Sequence, residues 1–180
     1  MMFPSVTKVM LLLAPLALLG AATPIDSNGM DRGDGVYVHN DAGELIEFIP
    51  LAEIQSRDYP EVNTTDPDAI TLEPRKFAWD TKCFSAKFDK NDKRVGLSDL
   101  GDIMDRYGSL RARSMVSVQY YSAIVYACNY SKVSINVDRG TSGKVNAGLD
   151  QSCKDNVAAR GDYRSGISYG RTAKGKPFCN

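Results

Sequence analysis

The 180-residue chain reads as an α+β fold, a small antiparallel sheet with two helices packed on one face and two disulfides. Three observations predict it. Helical and strand periodicities follow one another in the C-terminal part as helix, strands, helix, strand. All four cysteines, Cys83, Cys128, Cys153 and Cys179, lie in that part, an even number behind an export leader. Charge divides the chain as well: residues 23–75 carry 12 acidic and 3 basic side chains, and residues 76–180 carry 18 basic and 10 acidic ones, so the formal net charge of zero conceals two opposed segments.

The leader comes first. "MMFPSVTK" with Lys8 is a charged start, "VMLLLAPLALLG" an apolar run too short to span a bilayer, and Gly20 and Ala22 the small residues that signal peptidase needs. Residues 1–22 are therefore expected as a signal peptide cleaved after Ala22, and the protein as secreted and extracellular. Residues 23–75 read as an acidic pro-region or flexible arm. Within it "GVYVHNDAGELIEF" has the pattern of a hairpin turning at "NDAG". "EVNTTDPDAITLEP" reads as a solvated linker, in which Asn63 heads a glycosylation sequon. Arg75 and Lys76 form a basic pair at the composition switch, so Arg75 is an expected processing site.

Residues 76–180 form the basic domain. "FDKNDKRVGLSDLGD" superficially resembles a calcium loop leading into a helix. The loop requires oxygens at positions 1, 3 and 5, Gly at 6 and Glu at 12. From Asp89, those positions bring Lys93, Arg94 and Leu100 where oxygen, Gly and Glu are needed. It reads as a polar loop before a helix capped at Ser98 or Asp99, with no metal site. Leu100, Ile103, Met104 and Tyr107 share a face of that helix, and Gly108 suits its left-handed end. "SMVSVQYYSAIVYACNY" reads as two strands joined near Tyr121–Ser122, and "KVSINV" as a half-buried strand. Val145, Leu149, Cys153 and Val157 recur four apart and predict a second helix running to Gly161. "DYRSGISYGR" is the last strand candidate, followed by a tail held by Cys179.

Secretion and an even cysteine count predict two disulfides. Of three connectivities, the expected one ties the ends, Cys83 to Cys179, and joins Cys128 to Cys153. Asn129 in "CNYS" heads a second sequon and is the other expected glycosylation position.

The sequence also excludes chemistry. The basic domain has neither His nor Glu, and the sole histidine, His39, lies in the acidic segment. That removes Ser/His and Cys/His nucleophilic pairs. No P-loop, dinucleotide fingerprint or nucleophile elbow occurs, and no cofactor is expected. Asp99, Asp102 and Asp105 recur every three residues and offer an Asp-only hydrolase as the alternative reading. Arg-Gly-Asp occurs at residues 32–34 and 160–162, the second copy at an expected helix end. Lysines and arginines are scattered, so nucleic acid is not an expected partner.

"KCFSAKF", "DLGDIMDRYG", "IVYACNY", the helix with Cys153, "ISYGR" and "PFC" together resemble small secreted cysteine-containing fungal effector-like proteins, with a loosely killer-toxin-like α/β sandwich. The resemblance spans Trp79 to Asn180. It implies a secreted, non-enzymatic effector or toxin-like protein that acts on an extracellular target or cell surface of a host or competitor. The implied partners are a host protein, an anionic membrane or a cell-wall polymer. The acidic segment 23–75 is expected as an intramolecular partner, held by opposite charge. A non-toxic wall-binding protein remains a further alternative.

Overall fold

The computed structural model describes residues 32–55, 79–163 and 165–179. Ala22, Asn63 and Arg75, with the leader and the linker, lie outside the described residues. Nine strands and three helices follow in order: β1 (Gly35–His39), β2 (Leu45–Pro50), α1 (Leu51–Gln55), β3 (Trp79–Lys87), α2 (Lys90–Tyr107), β4 (Ser109–Leu110), β5 (Met115–Tyr120), β6 (Ala123–Asn129), β7 (Ile135–Asn136), α3 (Arg139–Cys153), β8 (Val157–Tyr163) and β9 (Ile167–Ala173). The architecture is α+β, but the sheet is larger than expected. Seven strands run in the order β2-β1-β5-β6-β9-β8-β3, antiparallel throughout, beside a two-stranded ribbon of β4 and β7.

Strand alternation sorts the side chains onto two faces. One face presents Val36, Val38, Val116, Val118, Val125, Ala127 and Ala159 to Leu100, Ile103 and Met104 of α2 and to Val145 and Leu149 of α3. The two long helices therefore cover this face and enclose the main core. The other face carries Tyr37, Ile124, Tyr126 and Cys128, covered in part by Phe178 and Cys179 of the tail.

The hairpin expected at "NDAG" forms as β1 and β2, with the Asn40 side chain accepting from the Ala42 and Glu44 amides. Its place in the fold differs from a flexible arm. β1 pairs with β2 on one side and with β5 on the other, so Gly35–Gln55 is built into the sheet and its core. The reason is composition at short range. Val36, Val38, Ile49 and Ile54 are buried there, an apolar set that the segment's overall acidity hides. Ladder hydrogen bonds and burial hold this part in place, and Asp34 just before it pairs with Lys174 at 3.5 Å.

α2 begins earlier than expected. Asp89, in extended backbone, caps it by accepting from the Asn91 and Asp92 amides, so the "calcium loop" is the first two turns of a helix. Asp92 turns inward to accept from the Ser122 hydroxyl at 2.6 Å and the Ser122 amide at 3.1 Å. Gly108 ends the helix at φ 64°, as expected, and its N–H returns to the Met104 carbonyl. α3 stops sooner than its stripe suggests. Lys154 adopts φ 70°, which breaks the helix, and Val157 and Gly161 belong to β8. Of "KVSINV" only Ile135–Asn136 pairs, and Val133 is left exposed.

A buried arginine joins the layers. Arg171 of β9 points to the helix face with no exposed surface, donating to the carbonyls of Val157 (3.0 Å), Asn146 (3.4 Å) and Lys154 (2.7 Å) and pairing with Asp150 at 2.5 Å. The guanidinium thus satisfies carbonyls at the end of α3 and at the start of β8.

Candidate functional site

The open face of the sheet, opposite the long helices, bears a cavity of about 560 Å³, lined by Lys82, Phe84, Tyr126, Arg160, Lys176 and Phe178 among others. Each arrives for a reason of local structure. β3 is an edge strand, and its pairing with β8 jumps from Cys83↔Ala159 to Lys87↔Val157, so β3 has two more residues than its partner over that span. Such a bulge re-aims side chains. Phe84, within that span, is 47% exposed beside the cavity.

Tyr126 is seated by a glycine. A Cβ on Gly170, its cross-strand partner, would lie 2.4 Å from the tyrosine hydroxyl, so only Gly lets the ring lie over β9. The ring stacks on Phe178 at 5.0 Å between centroids. Burial pushes the Tyr126 phenol well above its ordinary range, with Arg160 nearby opposing the shift. It stays a neutral hydroxyl at any physiological pH.

The charge is uneven. Asp162 receives Arg160 Nε at 2.9 Å and Lys82 Nζ at 3.1 Å, one carboxylate held by two cations. Lys176, on the tail turn, makes no ion pair among the described residues. Three cations against one carboxylate leave an excess of two positive charges around an aromatic wall. Ser85 and Thr172 add hydroxyls. Such a site attracts anions and offers the exposed ring of Phe84 for stacking.

A smaller cavity of about 210 Å³ lies toward the hairpin turn, lined by Asn40, Asp41, Arg113, Asn129, Lys132 and Cys179 among others. The tail therefore serves both cavities, Phe178 one and Cys179 the other.

The cysteines pair differently from expectation. Cys83 bonds to Cys153, and Cys128 to Cys179. Face alternation is the cause: Cys83 and Cys153 lie on the helix side of the sheet, Cys128 and Cys179 on the other, and the expected pairs would have had to pass through it. Both disulfides do form, and no cysteine remains free.

Asn129 does not stand out as a modification site. It is 2% exposed, and its Nδ2 donates to the carbonyls of Leu110, Arg111 and Val133, while Oδ1 accepts from Ser131 N and Oγ. The amide that a glycan would occupy is consumed in anchoring the loop after β6. Arg160-Gly161-Asp162 lies within β8, not at a helix end, with Arg160 and Asp162 paired to each other on the open face.

The three aspartates of α2 do not converge on a cleft. Asp102 and Asp105 both hold Arg139, and Asp105 also accepts from the Arg139 amide at 2.9 Å, next to the start of α3. Asp99 is buried, one oxygen lacks a partner among the described residues, and burial pushes its carboxyl up to about 6. Among the described residues no cluster of His, Cys, Asp or Glu is arranged to hold a metal ion, and no helix is long and apolar enough to cross a membrane.

Sequence reasoning did not single out Lys82, Phe84 or Lys176, and met Arg160 only as part of an Arg-Gly-Asp motif. The available signal was the alternation in "KCFSAKF", which puts Lys82 and Phe84 on the side opposite Cys83. Comparison with known proteins found no matching family model, no matching curated protein and no matching solved structure.

Proposed function

We propose that the chain is a secreted, non-enzymatic effector or toxin-like protein that engages an anionic extracellular target or cell surface through the open face of its sheet. The observation that carries this reading is the groove itself: Lys82, Arg160 and Lys176 against the single carboxylate of Asp162, beside the exposed ring of Phe84 and the stacked pair Tyr126–Phe178. Two disulfides, one of which fastens the tail that walls the groove, fit a protein working outside the cell.

The hydrolase alternative draws no support from the site. Its carboxylates are spent on Arg139 or buried, and Asp162 beside the groove is already gripped by two cations, whereas paired-carboxylate hydrolysis needs two facing one substrate.

The test is retention of the oxidised secreted protein by intact plant and fungal cell surfaces at rising salt, beside the double variant Lys82→Glu, Lys176→Glu. Loss of retention on charge reversal, and its decline with salt for the native protein, is expected. Equal retention of both forms rejects the groove as the contact surface.

A further inference from the structure

We propose that the groove takes an acidic polysaccharide, a chain of sugar rings bearing carboxylates, with Phe84 reading the ring and Lys82 and Lys176 reading the charge. This rests on the binding reading above and adds the chemistry of the ligand.

The apolar part of the site comes first. A phenylalanine half out of the surface is costly in water, and Phe84 lies at the register shift of β3 against β8. Its electron-rich face is complementary to the polarised C–H face of a sugar ring. A fully apolar ligand does not suit the place, because cations and hydroxyls border the same wall.

The charged part narrows the choice among anions. Arg160 and Lys82 share Asp162, but the Arg160 side chain is only 14% exposed against 49% for Lys82, so the charge presented to a ligand is mainly that of the lysine ammoniums Lys82 and Lys176, compact point charges without the planar fork that grips phosphate. No residue of a helix lines the groove, so no helix N-terminus is presented to a phosphate either. Ser85 and Thr172 among the lining residues supply hydroxyl partners for sugar hydroxyls, and Asp162, paired with Lys82 and Arg160 beside the groove, can accept from them as well. Lysine point charges, hydroxyl partners and a single stacking face describe a uronate chain better than nucleic acid or an anionic bilayer. The position also suits a polymer: β3, which forms one wall, is an edge strand, so a long chain can run past it without an enclosing rim.

The experiment is calorimetric titration of the oxidised protein with uronate oligomers, their methyl-esterified counterparts, single-stranded DNA and phosphatidylserine vesicles. Binding to the free uronate is expected, weakened at least roughly tenfold by esterification and by Lys82→Glu with Lys176→Glu, in keeping with the loss of close charge pairs. Phe84→Ala is expected to weaken it by a similar factor while leaving its salt dependence unchanged, a split that a merely electrostatic surface does not give. Equal affinity for the esterified oligomer, or tighter binding of DNA or vesicles insensitive to Phe84→Ala, overturns the assignment. The two readings fail separately. If charge reversal abolishes retention by cells yet uronate oligomers do not compete for it, the groove stands and the polysaccharide assignment falls. If cells retain the charge-reversed protein as well as the native one, both fall.

Discussion

Lys93 Nζ lies 2.8 and 2.9 Å from the two carboxylate oxygens of Asp150, a lysine of α2 gripping an aspartate of α3 from a position only 5% exposed. Asp150 also pairs with the wholly buried Arg171 of β9. One carboxylate thus joins both long helices and the sheet. Asp150→Asn leaves two buried cations without a counter-charge and should cost about 3 kcal/mol or more in urea unfolding. Lys93→Met should cost less, since Asp150 keeps Arg171 and the thioether fills the space. The reverse order would show that Arg171 draws its support from the carbonyls alone.

The tail disulfide should matter to binding more than to the fold. Replacing Cys128 and Cys179 by Ser frees Phe178 from the open face, and about 2–4 kcal/mol of stability is at stake. Retention by cell surfaces should fall sharply while the far-ultraviolet circular dichroism of the helix-covered face persists. Replacing Cys83 and Cys153, which close the other side, should lower stability by a similar amount and spare retention more.

Asp99 makes stability depend on acidity in a stated direction. Its folded carboxyl is pushed up to about 6 by burial, above its ordinary 3.8, so the folded state holds the proton more tightly than the unfolded chain. The protonated form therefore favours folding, and stability should fall as pH rises from about 4 to about 6, by up to about 3 kcal/mol, and then level off. Buried His39 acts oppositely: its imidazole is held below its ordinary 6.5, so its contribution is lost as pH falls below that value. Thermal unfolding of Asp99→Asn beside the native protein separates the two. The difference between them should shrink toward lower pH, and a constant difference would rule out Asp99 as the titrating group.

Asn129 should carry no glycan in the secreted protein, checked by intact mass and peptide mapping. Asn129→Asp removes three donated hydrogen bonds and turns a carboxylate toward three carbonyls. The expected loss is about 3 kcal/mol or more, given the cost of stranding buried polar groups. A variant as stable as the native protein would contradict the anchoring role.

Legibility in the sequence followed the range of the interaction. The face of Leu100, Ile103 and Met104, the cap at Gly108, the turn at Tyr121–Ser122 and the hairpin at "NDAG" are decided by neighbours a few residues away, and each was readable. The first turns of α2 were not, because Lys93 looks solvated until Asp150, far along the chain, supplies its partner. Val157 continued a four-residue stripe only by coincidence, since the break at Lys154 is a backbone conformation that no side-chain pattern announces. The disulfides needed the sidedness of β3 and β6, and hence the whole sheet. The groove was the least visible. Lys82, Tyr126, Arg160 and Lys176 come from three strands and the tail, and alternation in "KCFSAKF" places Lys82 and Phe84 on one side without showing which strands they meet.

The pairing of β1 with β5 has a consequence for how the chain reaches this state. Val36 finds its ladder partner in Val118, and Thr81 finds Gly161, so several of the central contacts join segments synthesised far apart. Loop closure must precede such contacts, and folding that depends on them is slow. The hairpin of β1 and β2 can form early, but it exposes Val36 and Val38 until β5 and β6 have emerged and α2 has docked over them. The two disulfides join positions 70 and 51 residues apart that only the finished sheet brings onto the same side. Assembly of the groove is therefore among the final events of maturation, and a chain trapped before it would present apolar strand edges to its neighbours instead of a binding face.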